Sequence, residues 1–307
     1  MQSYLERYQQ GDYAQVWKEL TASGDAVRIE PLYSDARAVA RETMRRARHN
    51  IEVLIERLQK IGFEFVYPEA VLSPLSPEQL AELDAFERKV GHVPLSLCAW
   101  LETVGSVNFM GSFPRLSYYE SNDNPLFAFM TGGGKVETTD LESLMQQGFD
   151  DVPSEFSAGI SILQNAFKKL TEQGFLGEEP AGRRKKAGRE IAEADRVMSD
   201  PLVVDPSEIS IDAYQEWQEY EEDQGAYFVT IAPDILHKSN ISGGDGYEIY
   251  LPDAAADAPL HNTEWHDLTF VEYLRLSFQW AGFPGVQDYE RRDEKLLALL
   301  REGLLPL

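Results

Sequence analysis

The stretch Leu83–Pro114, LDAFERKVGHVPLSLCAWLETVGSVNFMGSFP, decides the fold. Leu83, Phe86 and Val90 recur at three- and four-residue steps, which predicts an amphipathic helix that Gly91 ends. Leu80 extends the same face, Ser76 is a cap for it, and Pro77 suits its first helical position. After Pro94 comes a short apolar helix through Leu97 and Trp100. Val104-Gly105 breaks it, and the partial alternation of Val107-Asn-Phe-Met110 predicts a strand.

Working outward to the N-terminus, the pattern is helical. Tyr4–Gln10 opens it. Asp12 is a cap for a helix through Val16, Trp17 and Leu20. Ser34 or Asp35 caps a long helix whose apolar positions are Val39, Met44, Ala47, Ile51, Leu54, Ile55 and Leu58, stopped by Gly62. Its other face carries Arg37, Arg41, Arg45, Arg48 and Arg57, a solvated stripe or one that packs on the chain's own acids. FEFVYPEAVLSPLSP, Phe63–Pro77, has three prolines and is expected to be a linker.

Working outward to the C-terminus, strands are expected at Leu116–Tyr119, Leu126–Met130, Asp200–Val204, Ala226–Ala232 and Gly246–Pro252. Helices are expected over Ile160–Thr171, over Thr269–Trp280 with Phe270, Leu274 and Phe278 on one face, and from about Asp288 through Leu300. The span 149–198 is a long excursion; its stretch Gly174–Glu190 is polar and Gly-rich, with a basic cluster at Arg183, Arg184, Lys185, Lys186 and Arg189. The expected fold class is α+β: helices first, then a mostly antiparallel sheet flanked by helices. The division is 1–75 for the N-terminal helices and linker, 76–285 for the α+β domain, and 286–307 for a closing helix.

The charge is uneven. Of 307 residues, 28 are Lys or Arg and 52 are Asp or Glu, a net charge of −24. Residues 1–75 hold 10 basic and 11 acidic residues, so almost the whole excess lies beyond them. Such a surface repels nucleic acid and anionic membranes and attracts basic proteins, although acidity also simply keeps proteins dissolved. No apolar run reaches the roughly 18 to 20 residues of a membrane span. No secretory signal opens the chain. The single cysteine, Cys98, allows no internal disulfide and suits a reducing cytoplasm.

The order of helix, Gly91, Pro94, short aromatic helix, Val104-Gly105 and strand resembles the SUKH superfamily, the Smi/Knr-type domain of fungal cell-wall regulators and bacterial toxin-immunity proteins. APDILHKSNISGGDGYEIYLP, Ala232–Pro252, and the following TFVEYLRLSFQWAGFPG look like that family's late strands and closing helix. The resemblance covers about Ser76–Gly285. It implies a binding module: an immunity protein that neutralises a cognate basic, nuclease-like toxin, or a regulatory scaffold of the cell-wall-assembly type. The N-terminal helices and the excursion have no counterpart in a minimal family member.

Motifs for chemistry are weak. TGGGK, Thr131–Lys135, fails as a phosphate loop, because Phe129 stands where the first Gly is needed and Val136 follows the Lys. A hairpin turn is the simpler reading. A metal-dependent enzyme would have to use His237, His261 and His266 with Asp234, Asp257, Glu264 and Asp267, but neither histidine pair has zincin spacing. Cys98 sits in an apolar helix and reads as a buried thiol. No catalytic residue, cofactor or metal is expected.

Two segments read as binding surface. Asp205–Asp223 holds eight acidic residues and no basic one, with Tyr214, Trp217 and Tyr220 interleaved among Glu219, Glu221 and Glu222. The aromatics are either interface anchors or a cover for the core. Lys238–Gly246, with Ser239, Asn240 and Ser242, offers backbone amides to a ligand, or is merely a hairpin connection.

Overall fold

The computed structural model describes residues 2–113, 116, 198–205, 207–220, 226–239, 244–263, 268–289 and 292–307. They belong to one compact unit that joins the first part of the chain, through residue 119, to the last, from residue 196. The strand at Leu126–Met130, the TGGGK turn, the helix at Ile160–Thr171 and the basic cluster at 183–189 lie outside the described residues.

The fold is α+β, with N-terminal helices and small antiparallel sheets. Helix α1 is Tyr4–Gln9 and α2 is Tyr13–Ala22; a 3-10 turn at Gly24–Arg28 leads to α3, Leu32–Ile61. Ser3 and Glu6 form a reciprocal cap at the start of α1. Asp35 does not cap its own helix. It accepts from the N–H groups of Tyr4 and Leu5 at 2.6 and 3.0 Å, so a residue of α3 closes the start of α1. Asp12 likewise leaves α2 uncapped, because its carboxylate takes the Arg7 guanidinium at 2.6 Å. A charge-assisted pair wins over a neutral backbone donor. Gly62 ends α3 in the left-handed conformation, φ 83°, as its sequence position implied.

The proline-containing segment is not a linker. It forms β1, Glu64–Phe65, and β2, Leu72–Ser73, with Phe63 and Val71 buried. Two short extended stretches satisfy the backbone between prolines where a helix cannot. Helix α4, Pro77–Val90, starts from the Ser76–Gln79 capping box, and α5 is Leu95–Thr103. Strands β3, Ser106–Asn108, and β4, Gly111–Ser112, follow, then β5, Val203–Val204. β1 pairs with β4, and β3 lies between β2 and β5, all antiparallel. Gly105 turns α5 into β3 at φ 90°; a Cβ there would stand 2.2 Å from the Ser73 carbonyl oxygen.

Helix α6 is Ile211–Tyr220, β6 is Tyr227–Ala232, the single turn α7 is Ile235–Lys238 and β7 is Tyr247–Leu251. β6 and β7 pair antiparallel, with a bulge between Thr230 and Ala232. The Asp205 N–H donates to the Ile231 carbonyl at 2.6 Å and links β5 to this hairpin. Helix α8, Phe270–Gln279, starts from a Thr269–Glu272 capping box. The last helix begins later than expected. Pro284–Asp288 is a 3-10 turn, and α9 spans Glu294–Arg301, capped by Asp293.

One cluster of buried side chains runs from Tyr8 on α1 through α3, α5 and the strands to Leu307. The expected boundary at 75/76 therefore passes through a core rather than between two. The tail is tied back by Asn50 of α3, which donates to the Leu305 carbonyl at 2.8 Å and accepts from its N–H at 2.7 Å.

Asp257 is a second internal tie. It is buried, and it accepts from Ser96 Oγ at 2.6 Å and from the N–H groups of Ala258 and Val271 at 3.2 Å. Burial pushes its carboxyl up from 3.8 to about 6, against those donors. Between these values the folded chain binds more protons than the unfolded one. The cost of the buried charge is therefore full above the folded value and lifts as the pH falls through this window. Urea unfolding of wild type and Asp257→Asn at about pH 4.5 and about pH 7 checks this. The wild type should gain on the variant at the lower pH; a difference that is flat across the window would show that Asp257 does not titrate there.

Candidate functional site

Helix α6 divides its residues by the helical period. Ile211, Tyr214 and Trp217 face inward; Asp212, Gln215, Glu216, Gln218 and Glu219 are exposed. Tyr214 stacks on Trp217 at 5.7 Å and 24°, and both rings meet the buried Tyr227 edge-on, at 5.0 and 5.2 Å. Tyr214 also meets Phe86 of α4. Of the two roles open to these aromatics, covering the core describes Tyr214 and Trp217. What faces solvent is carboxylate and amide. Asp212, Glu216 and Glu219 recur at steps of four and three, and no ion pair joins them among the described residues. The side chain of Tyr220 and all of Glu221 and Glu222 lie outside the described residues.

The segment after β6 behaves as a cap. Asp234 accepts from the N–H groups of Leu236 and His237 at 2.7 and 3.2 Å, and its other oxygen meets the His237 ring. Burial alone would raise the Asp234 carboxyl, but the imidazole and the two amides hold it below its ordinary value. Gly244 lets the returning chain pass against this carboxylate, since a Cβ there would sit 2.8 Å from Asp234 Cγ. Ser239 closes α7 through its own N–H. Asn240 and Ser242 lie outside the described residues, as do Glu264, His266 and Asp267. Among the described residues no three of His, Cys, Asp and Glu stand together as metal ligands would. His261 bonds the β7 backbone at Glu248, and its ring stands against Tyr250 at 4.5 Å.

The Cys98 thiol lies 3.8 Å from Glu87 Oε1 and 3.5 Å from the Val93 carbonyl oxygen. Burial and the Glu87 charge push it well above the ordinary thiol value. It stays protonated at neutral pH and is a poor nucleophile.

A buried ion pair is the feature that sequence reasoning missed. Lys238 Nζ lies 2.6 Å from Asp200 Oδ1, and neither side chain is exposed. The ammonium also sits 4.2 Å from the centre of the Tyr247 ring and 3.3 Å from the Tyr273 hydroxyl. Burial pulls the Lys238 value down, and the Asp200 carboxylate opposes that. Asp200 holds φ 43°, a conformation that favours glycine. The pair ties the segment entering β5 to α7 and α8. With no route to solvent, it is a structural lock rather than a reacting group. A signal existed: Ile235 and Lys238 are three apart on one face of a short apolar turn.

The outer face of the β6–β7 hairpin was also not singled out from sequence. Phe228 and Tyr250, paired across the ladder, keep 38% and 41% of their surface exposed. Glu248 lies two residues from Tyr250 on the same face, near Asp245 and Glu208.

Two outcomes test these placements. Lys238→Met should destabilise the fold by about 3 kcal/mol or more in urea unfolding, because it takes the ammonium away from a buried carboxylate; adding Asp200→Asn should restore part of the loss. Trp217→Ala should lower stability by about 2 kcal/mol in the same assay, as a core cover does, and a neutral result would return Trp217 to the list of free anchors.

No family model, no curated protein and no solved structure matches this chain.

Proposed function

We propose that the protein works by binding, and that its partner is a basic protein held on an acidic surface. The observation that carries this is how the charges are spent. Arg37 and Arg41 of α3 both pair with Glu102, Arg48 pairs with Glu52 and donates to the Thr103 carbonyl, and Arg57 donates to the Leu300 carbonyl. Arg46 pairs with Glu42 and lies over the Tyr8 and Tyr13 rings. The basic stripe is paired within the chain at its surface, while among the described residues no ion pair answers the α6 carboxylates. Such a field steers a cationic protein into contact.

The SUKH resemblance supports one version of this role: an immunity protein that covers a basic, nuclease-like toxin in the cytoplasm. Among the described residues, no helix is long and apolar enough to cross a membrane. The acidic bias favours this version over a cell-wall-type regulatory scaffold. The protonated Cys98 and the capping role of the Asp234–His237 pair lend no support to an enzyme.

Surface plasmon resonance with a basic, nuclease-like protein and a neutral protein of equal size, at low and high salt, tests the role. Asp212→Asn, Glu216→Gln and Glu219→Gln together should slow association by about tenfold at low salt and change dissociation less. If the wild-type protein binds cationic proteins no better than neutral ones of equal size, the acidic surface only keeps the chain dissolved.

A further inference from the structure

The hairpin β6–β7 buries one face and leaves the other open at the Phe228–Tyr250 pair. Val229 and Ile249 face inward at 0% exposure, while Phe228 and Tyr250 point out. Their ring centres are 6.0 Å apart at 77°, and His261 extends the aromatic wall on the Tyr250 side. The next pair along the same face is Thr230 with Glu248, whose side chain is largely covered, at 9% exposure, and is hydrogen-bonded by Asn262, so only its edge is within reach of a partner. Glu208 joins it, because its Oε2 accepts from the Thr230 N–H at 2.7 Å. Asp245 stands at the entry to β7. Burial, then the charge of Asp245 and, more weakly, that of Glu208, push the Glu248 carboxyl up against a hydrogen bond from Asn262. No Lys or Arg among the described residues pairs with any of them.

We propose that this face is the docking surface for an arginine-bearing segment of the basic partner, with the guanidinium over Phe228 and Tyr250 and its N–H groups directed at Glu248 and Glu208. The assignment rests on the reading that the partner is basic, and it names where and by what group that partner is held. The two halves of the face select this occupant. An apolar segment would cover the rings but dehydrate the carboxylates without relief. An ammonium would answer the carboxylates as a strongly hydrated point charge. A guanidinium is planar and weakly hydrated. It stacks on a ring while its in-plane donors reach a carboxylate.

The test uses the full chain, a short oligo-arginine peptide and an oligo-lysine peptide of equal length, each followed by fluorescence anisotropy at low salt. The wild-type protein should bind oligo-arginine more tightly than oligo-lysine. Phe228→Ala with Tyr250→Ala should weaken the arginine peptide by about tenfold and erase that preference. Glu248→Gln keeps the size of the side chain, and it should also weaken binding; it decides the matter if the double variant does not fold. If the wild type binds the arginine peptide and both folded variants bind it equally well, this face is not the site and the acidic reading stands. Equal affinity of the wild type for the two peptides also overturns the arginine assignment. If the wild type binds neither peptide, both the site and the basic-partner reading fall.

Discussion

The apolar stripe of α3 has to be covered along its length, and elements from both ends of the described chain are arranged to do so. The helix has 30 residues, and Val39, Ala40, Met44, Ala47, Ile51, Leu54 and Leu58 are all fully buried. A helix this long spans about 45 Å, too much for one short neighbour to cover. α1, α2 and the 3-10 turn cover its beginning, α5 lies along it, and α9 with the C-terminal tail closes the far side. Burial of this stripe is the term that organises the chain, because an isolated helix gains little from its own hydrogen bonds in water.

Covering α3 from two ends of the chain has a consequence for charge. The arginines beside the stripe are brought against Glu102, the Thr103 carbonyl and the Leu300 carbonyl; Glu102 balances part of their charge, and the carbonyls orient the rest. Among the described residues, Asp212, Glu216 and Glu219 of α6 face water, as do Glu208 and Asp245 beside the β6–β7 hairpin. The same hairpin is pinned from beneath by Lys238 and Asp200, whose separation from water makes the geometry of the pair exacting.

The sequence by itself determined the elements whose signals are local. The Ser76-Pro77-Glu-Gln79 start of α4, the Gly62 stop of α3 and the Thr269–Glu272 box of α8 need only neighbouring residues, and so do the β-branched and aromatic runs of β6 and β7. The class of fold follows from them, as does the acidity of the later part of the chain. Only the tertiary structure decided where Asp35 and Asp12 spend their carboxylates, that the proline-containing segment joins the sheets, and that Tyr214 and Trp217 turn inward. It also brought Lys238 to Asp200, 38 residues away, and left Phe228 and Tyr250 in the open. The physical reason is common to all of these. A carboxylate, an ammonium or an aromatic ring takes whichever partner lowers its free energy most, and when that partner is distant in the chain, packing rather than local spacing selects it.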